Sequence, residues 1–202
     1  MKLFDSKMAP NPRRVRIFLA EKGIEVPRVD VDIAGRENRK PAFLEKNPMA
    51  GIPVLELDDG RYIAESVAIC RYFEEIQPDP PLMGVDAADA AIVEMWSRRM
   101  EHEVFLNIAA PFRHSHEFFK GRIVQVPAWG EACRAAALER LAWLDGELAD
   151  REFIAGDRYT IADITALCGI DFGRVSKIGI APDQKNLQRW HAAVSARPSA
   201  AA

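Results

Sequence analysis

Glu65-Ser66 stands directly before a stretch, Val67 to Ile76, whose apolar residues recur at helical spacing. A serine there would cap a helix, and a helix start also attracts carboxylates through its free N–H groups. Arg36, Arg39 and Lys40 cluster within five residues, as an anion-binding corner or as a solvated run of charge. Ile52-Pro53 opens an apolar run, a place where a strand tolerates proline. His114 and His116 lie two residues apart in Phe112-Arg113-His114-Ser115-His116, a segment that reads as a connection between helices. No carboxylate–histidine set accompanies them, so a metal is not expected. Cys70, Cys133 and Cys168 are widely spaced, with no CxxC pair. That pattern indicates neither a disulfide framework nor a zinc site and fits a reducing, cytoplasmic setting. Cys70 shares an apolar helix face with Val67 and Phe73 and reads as core.

The 202 residues are 49% apolar and 28% charged, with a formal charge of -3, ordinary for a globular protein. The charges divide evenly along the chain, without a basic stripe, so nucleic acid is not an expected partner. No apolar run reaches the ~20 residues of a membrane span. Arg13, Arg14 and Arg16 interrupt the N-terminus before a signal peptide could form, so no membrane partner is expected.

The elements that must carry these residues divide near residue 80. Gln77-Pro78-Asp79-Pro80-Pro81-Leu82-Met83-Gly84 cannot continue a helix. The expected organisation is a domain at 1–82, a linker at 83–87 and a second domain at 88–202. In the first domain, Lys2–Asp5 predicts a strand and residues 13–22 a helix, with Pro12 at its first position and Gly23 just past its end. Val15, Phe18 and Leu19 form its buried face, with Lys22 snorkelling outward. Val29, Val31 and Ile33 alternate with charged residues as a half-buried strand. Residues 52–57, the Asp58-Asp59-Gly60 turn and residues 61–63 make a hairpin, followed by a helix from about Ser66 to Ile76. This order is an α/β sandwich. The second domain reads as an all-α bundle: one long helix at 87–109, another around Leu138, Leu141, Leu144 and Leu148, and a final one at 184–196. Thr160-Ile161-Ala162-Asp163 is a capping box with Asp in place of Glu or Gln, so both residues are assigned to structure.

Four segments together resemble the cytosolic glutathione transferase family over essentially the whole chain. They are Asn11-Pro12-Arg13-Arg14-Val15-Arg16-Ile17-Phe18-Leu19-Ala20-Glu21-Lys22-Gly23-Ile24; Arg39-Lys40-Pro41-Ala42-Phe43-Leu44-Glu45-Lys46-Asn47-Pro48 with Gly51-Ile52-Pro53-Val54-Leu55; Ile63-Ala64-Glu65-Ser66-Val67-Ala68-Ile69; and Phe153-Ile154-Ala155-Gly156-Asp157 with Thr160-Ile161-Ala162-Asp163-Ile164. The resemblance implies a thioredoxin-like first domain, an all-helical second domain, glutathione as co-substrate, a small-molecule electrophile and a homodimer. It implies that Ile52 pairs by backbone with the cysteinyl unit ahead of a cis-Pro53. Glu65 and Ser66 would grip the γ-glutamyl end, and Lys40, with Arg39 as second choice, would face the glycyl carboxylate. Asn38 stands where many relatives carry His or Gln. Met8, Ala9, Trp96, Phe112 and His116 would line the electrophile pocket.

The family's usual Tyr, Ser or Cys that activates the thiol is missing, and Ala9 stands where serine-type members carry serine. In this the chain resembles an atypical fungal and bacterial class that relies on a helix N-terminus and a bound water. Lowering a thiol pKa of about 8.5 by two units requires about 2.7 kcal/mol. A helix end supplies roughly 0.3–1 kcal/mol, reaching ~2, and one hydrogen bond to a charged group about 1.5–3. One donor besides the helix of residues 13–22 is therefore required: the amide of Asn11, the hydroxyl of Ser6, or a water held by His114 or His116. The expected activity is conjugation of glutathione to hydrophobic electrophiles. The alternatives are a glutathione-dependent isomerase, dehalogenase or peroxidase, or a transferase-like binding protein without turnover.

Overall fold

The computed structural model describes residues 1–202 and divides them into two compact units, Met1–Leu82 with Ala201–Ala202, and Met83–Ala200. The first unit holds a four-stranded sheet in the order β2-β1-β3-β4, built from β1 (Lys2–Asp5), β2 (Arg28–Asp30), β3 (Val54–Glu56) and β4 (Tyr62–Ala64). β1 runs parallel to β2 and antiparallel to β3, and β3 and β4 form the hairpin. With α1 (Pro10–Glu21), α2 (Pro41–Leu44) and α3 (Ser66–Ile76), this is the α/β thioredoxin-like arrangement.

Alternation along the strands assigns each layer its side chains. Phe4 and Val54, paired across β1 and β3, pack with Val31 and with Phe43 of α2, and the Phe4 and Phe43 rings meet edge to face at 6.1 Å. Leu3 and Leu55 are the next pair along and are fully buried. Period 2 turns them to the opposite sheet face from Phe4 and Val54. α1 and α3 pack against each other and bury Val15, Ile17, Phe18, Ile69 and Phe73.

Several expectations are corrected here. α1 begins at Pro10, so Pro12 is its third residue. Gly23 ends it as expected, at φ +64°, with its N–H on the carbonyl of Ala20. β2 has only three residues, all exposed, and the buried Val31 lies just beyond it. β2 is an edge strand held on one side only, too short to present an alternating face. Lys22 does not snorkel: its ammonium is fully buried, 2.7 Å from Glu74 Oε2, and donates to the carbonyls of Gln77 (2.7 Å) and Pro80 (2.8 Å). Glu74 Oε1 accepts the N–H of Leu82 at 3.0 Å. The pair thus fastens the proline-rich segment 77–82 to α1 and α3.

The second unit is all-helical: α4 (Ala87–Arg99), α5 (Leu106–Ser115), α6 (Pro127–Glu147), α7 (Ile161–Phe172) and α8 (Lys185–Ser195). The expected single helix at 87–109 is instead α4 and α5 joined through a π-helical turn, Met100–Phe105, and it runs on to Ser115. α7 is the centre of the bundle, buried at every residue from Ile161 to Ile170. Gly169 makes the close approach to the π-helical turn: a Cβ there would lie 2.8 Å from Cβ of Phe105.

The start of α7 carries the expected capping box. Asp163 is fully buried. Its Oδ1 accepts the N–H of Ile154 and the indole N–H of Trp190, both at 2.9 Å, and its Oδ2 accepts the N–H of Thr160 at 2.9 Å and the Thr160 hydroxyl at 3.2 Å. Burial pushes the Asp163 carboxyl above the usual carboxylate range, and these donors pull against that shift.

Candidate functional site

The site begins with the sheet register. Phe4, Val54 and Ala64 are neighbours across β1, β3 and β4. The chain leaving β1, the chain entering β3 and the chain leaving β4 therefore meet at one edge of the sheet. They carry, in turn, Ser6 to Asn11, Ile52-Pro53 and Glu65-Ser66. This edge also receives the N-termini of α1 and α3, because each helix follows its strand after a short turn.

The Ile52–Pro53 bond is cis. No backbone hydrogen bond within the chain uses the N–H or carbonyl of Ile52, so both are left without a backbone partner. Two asparagines shape the approach to this bond. Asn38 Nδ2 donates to the carbonyl of Ala50 at 2.7 Å, and the buried Asn47 donates to the carbonyl of Gly51 at 2.9 Å while accepting the N–H of Met49. Ala50 takes φ +56°, a left-handed conformation that these ties help to hold. The Asn38 tie also brings the turn bearing the exposed Arg39 and Lys40 beside the segment that enters β3; Lys40 is the N-cap residue of α2.

At α3 the cap differs from the sequence expectation. Glu65 is the N-cap residue and Ser66 the first helical residue. Glu65 is exposed and adopts φ +68°, ψ +118°, a strained conformation for a non-glycine residue that costs on the order of 1–3 kcal/mol. Its side chain makes no cap bond, and its carbonyl accepts the N–H of Ile69 at 3.0 Å. The N–H groups of Ser66, Val67 and Ala68 precede any intrahelical partner and point out of the helix end. Ser66 lies one residue past the cap position, and its hydroxyl accepts a 2.7 Å hydrogen bond from Arg14, a residue of α1 that is 1% exposed.

The start of α1 is more sparing with donors. Ala9 is its N-cap residue and offers no side-chain bond. Pro10 and Pro12 have no N–H, and the N–H of Arg13 goes to the carbonyl of Ala9 at 3.3 Å. Asn11 is left with the one free N–H in the first turn. Ser6 is buried, and its carbonyl accepts the N–H of Ala9 at 3.0 Å. Buried Arg16 braces this turn, donating to Asp5 Oδ1 at 2.6 Å and to the carbonyl of Lys7 at 3.2 Å. Met8 is 72% exposed beside it.

Within the second unit, Phe112 through Ser115 form the last turn of α5 rather than a loop, and His116 is the C-cap residue. The helix expected to end at residue 109 thus continues to Ser115, with Pro111 inside it. His114 Nδ1 accepts the N–H of Val126 and His116 Nδ1 accepts the N–H of Phe118, both at 3.1 Å. In the neutral rings the proton is therefore on Nε2, a donor on each side chain. The Phe112 ring meets Phe119 (5.3 Å), Phe172 (5.7 Å) and His116 (4.6 Å). Trp96 is buried, stacked on Trp143 at 5.7 Å with the guanidinium groups of Arg99 and Arg151 over its ring. Those neighbours give Trp96 a packing environment.

The three cysteines are buried free thiols, and burial raises the Cys133 thiol above its ordinary pKa, the reverse of nucleophile activation. No group of three or more His, Cys, Asp or Glu side chains is placed to hold a metal ion. No helix is long and apolar enough to cross a membrane. Arg14, Arg16 and Asn47, which the sequence does not single out, join Asn38 as supports of the sheet edge. In sequence, the arginines are indistinguishable from surface charges of a basic helix.

Comparison with known proteins places the chain in a family. The glutathione S-transferase N-terminal domain family matches residues 9–76, and the glutathione S-transferase C-terminal domain family matches residues 127–198. Glutathione S-transferase 2 of Saccharomyces cerevisiae is 34% identical over 98% of this chain and 87% of its own length. The crystal structure of Gtt2 from the same organism superposes with a TM-score of 0.93 at 33% identity, covering 98% of both chains. A glutathione S-transferase domain-containing protein from Marinobacter aquaeolei superposes with a TM-score of 0.94 at 41% identity, covering 98% of this chain and 99% of that one.

Proposed function

The chain belongs to the glutathione S-transferase family, and from that footing we propose that it joins the thiol of glutathione to hydrophobic electrophiles, using the N-terminus of α1 in place of a hydroxyl or thiol side chain. The observation that carries this reading is the Pro10-Asn11-Pro12 start of α1. Its prolines leave a single outward N–H, that of Asn11, next to Ala9, which has no hydroxyl to offer. A thiolate at this point receives one charge-assisted hydrogen bond and the positive end of the helix dipole. Together these are worth about 2–4 kcal/mol, enough for a shift of about two pKa units.

In this reading the rest of the tripeptide runs along the sheet edge. The free N–H and carbonyl of Ile52, before cis-Pro53, pair with the cysteinyl backbone. Ser66 and the first N–H groups of α3 take the γ-glutamyl carboxylate, and Glu65 meets the ammonium. Lys40, with Arg39 beside it, faces the glycyl carboxylate. Met8 and Ala9, beside the start of α1, supply apolar surface that suits an aromatic or alkyl electrophile. A homodimer acting on a small molecule, in two domains joined just after residue 82, completes the proposal.

The test has two stages. Retention on immobilised glutathione, with elution by free glutathione, is expected for a glutathione binder. Conjugation of a chloronitrobenzene electrophile then separates an enzyme from a binder. Retention without turnover toward any electrophile would leave a binding protein, and loss of both would overturn the proposal.

A further inference from the structure

We infer that Arg14 is a positioning residue for glutathione: its buried guanidinium turns the Ser66 hydroxyl into an obligate donor aimed at the γ-glutamyl carboxylate. The inference rests on the proposed glutathione site and adds a residue to it.

A serine hydroxyl has one hydrogen to donate and lone pairs to accept with, and its rotation is free unless a neighbour fixes it. A guanidinium has donors only and stays charged in proteins. At the 2.7 Å contact between Arg14 and Ser66, the serine oxygen therefore has to accept. Its hydrogen must point to another acceptor. In the interior of a helix that acceptor would be the carbonyl four residues back. Ser66 is the first residue of α3, and the residue four back, Tyr62, lies in β4, so the helix itself offers no such acceptor. The acceptance from Arg14 is the one hydrogen bond that the structure gives the Ser66 side chain.

Two further features make the missing acceptor an anion. The N–H groups of Ser66, Val67 and Ala68 open the same helix end, and the N-cap Glu65 does not fill it with its own carboxylate. Arg14 is 1% exposed and Ser66 5% exposed, so the positive charge acts through protein rather than through screening water. Donor hydrogen, backbone donors and buried charge all favour a carboxylate over a neutral group. Lysine would supply the charge, but only as a mobile point donor. The planar fork, held by its α1 backbone, fixes the direction.

The experiment measures glutathione binding by wild type, Arg14→Met and Arg14→Lys. A second ligand is the glutathione analogue whose γ-glutamyl α-carboxylate is replaced by a carboxamide. Wild type is expected to prefer glutathione over the carboxamide. Arg14→Met is expected to weaken glutathione binding by about ten-fold or more, the size of one charge-assisted hydrogen bond, while changing carboxamide binding by less than about two-fold. Arg14→Lys is expected to fall between. If Arg14→Met does not fold, Arg14→Lys carries the same two-ligand comparison. Equal losses for both ligands would make Arg14 merely structural and overturn the inference, as would unchanged glutathione binding. A wild-type chain that binds neither ligand would overturn the site reading itself, a different failure.

Discussion

Single residues in this protein are set by what their neighbours can donate. Asp163 shows this most fully. Its two oxygens face three N–H groups and a hydroxyl, so the site accepts only a side chain with two acceptor atoms. Asp163→Asn turns an NH₂ group toward at least one of those donors and leaves buried groups unpaired. The expected cost is about 2–4 kcal/mol of stability. It is read as a lower unfolding midpoint, with glutathione affinity unchanged because Asp163 belongs to the second unit. Ser66 shows the same logic in the first unit, where a donor-only neighbour decides which way a hydroxyl faces. Such assignments lie beyond the sequence. Ser66 reads there as an ordinary helix cap, and Arg14 as one of three arginines within four residues. Only the packing of α1 on α3 separates the buried Arg14 from the more exposed Arg13.

Elements were more legible than residues where local chemistry decided them. α3 follows its apolar spacing, Gly23 ends α1, and the Thr160 box starts α7, because capping and periodicity act over a few residues. Sequence reading failed where tertiary contacts override local preference. The helix expected at 87–109 absorbs a π-helical turn and Pro111 and continues to Ser115. Lys22 has the look of a helix-end cation but is enclosed by the carbonyls of a segment about 55 residues away. Breaking that arrangement provides a test at this scale. Lys22→Met strands Glu74 in a buried position and releases segment 77–82. The expected loss is about 3–5 kcal/mol, measured by chemical denaturation. Lys22→Met with Glu74→Leu should recover much of the loss, since the double variant leaves no buried charge unpaired.

At the scale of the whole molecule, the chain is two units with separate cores, and every proposed contact to glutathione belongs to Met1–Leu82. The two-part organisation was legible from the prolines after Gln77 and the change in composition there. The proposed glutathione edge follows mainly from resemblance to a family, because the cis Ile52–Pro53 bond and the positive φ of Glu65 are backbone geometry that residue type does not encode. The absence of an activating hydroxyl or thiol at Ala9 was plain in the sequence. What replaces it required the structure, which leaves one free N–H at the start of α1. The central claim is that this backbone group, rather than any side chain, stabilises the thiolate. It is tested by titrating the ultraviolet absorbance of bound glutathione thiolate against pH in wild type, Asn11→Ala and Asn11→Pro. The account predicts a pKa well below the ~8.5 of a free thiol in wild type and in Asn11→Ala, which keeps the N–H, and a return toward ~8.5 in Asn11→Pro, which lacks it. An unshifted pKa in wild type, or a shift lost in Asn11→Ala, would contradict it.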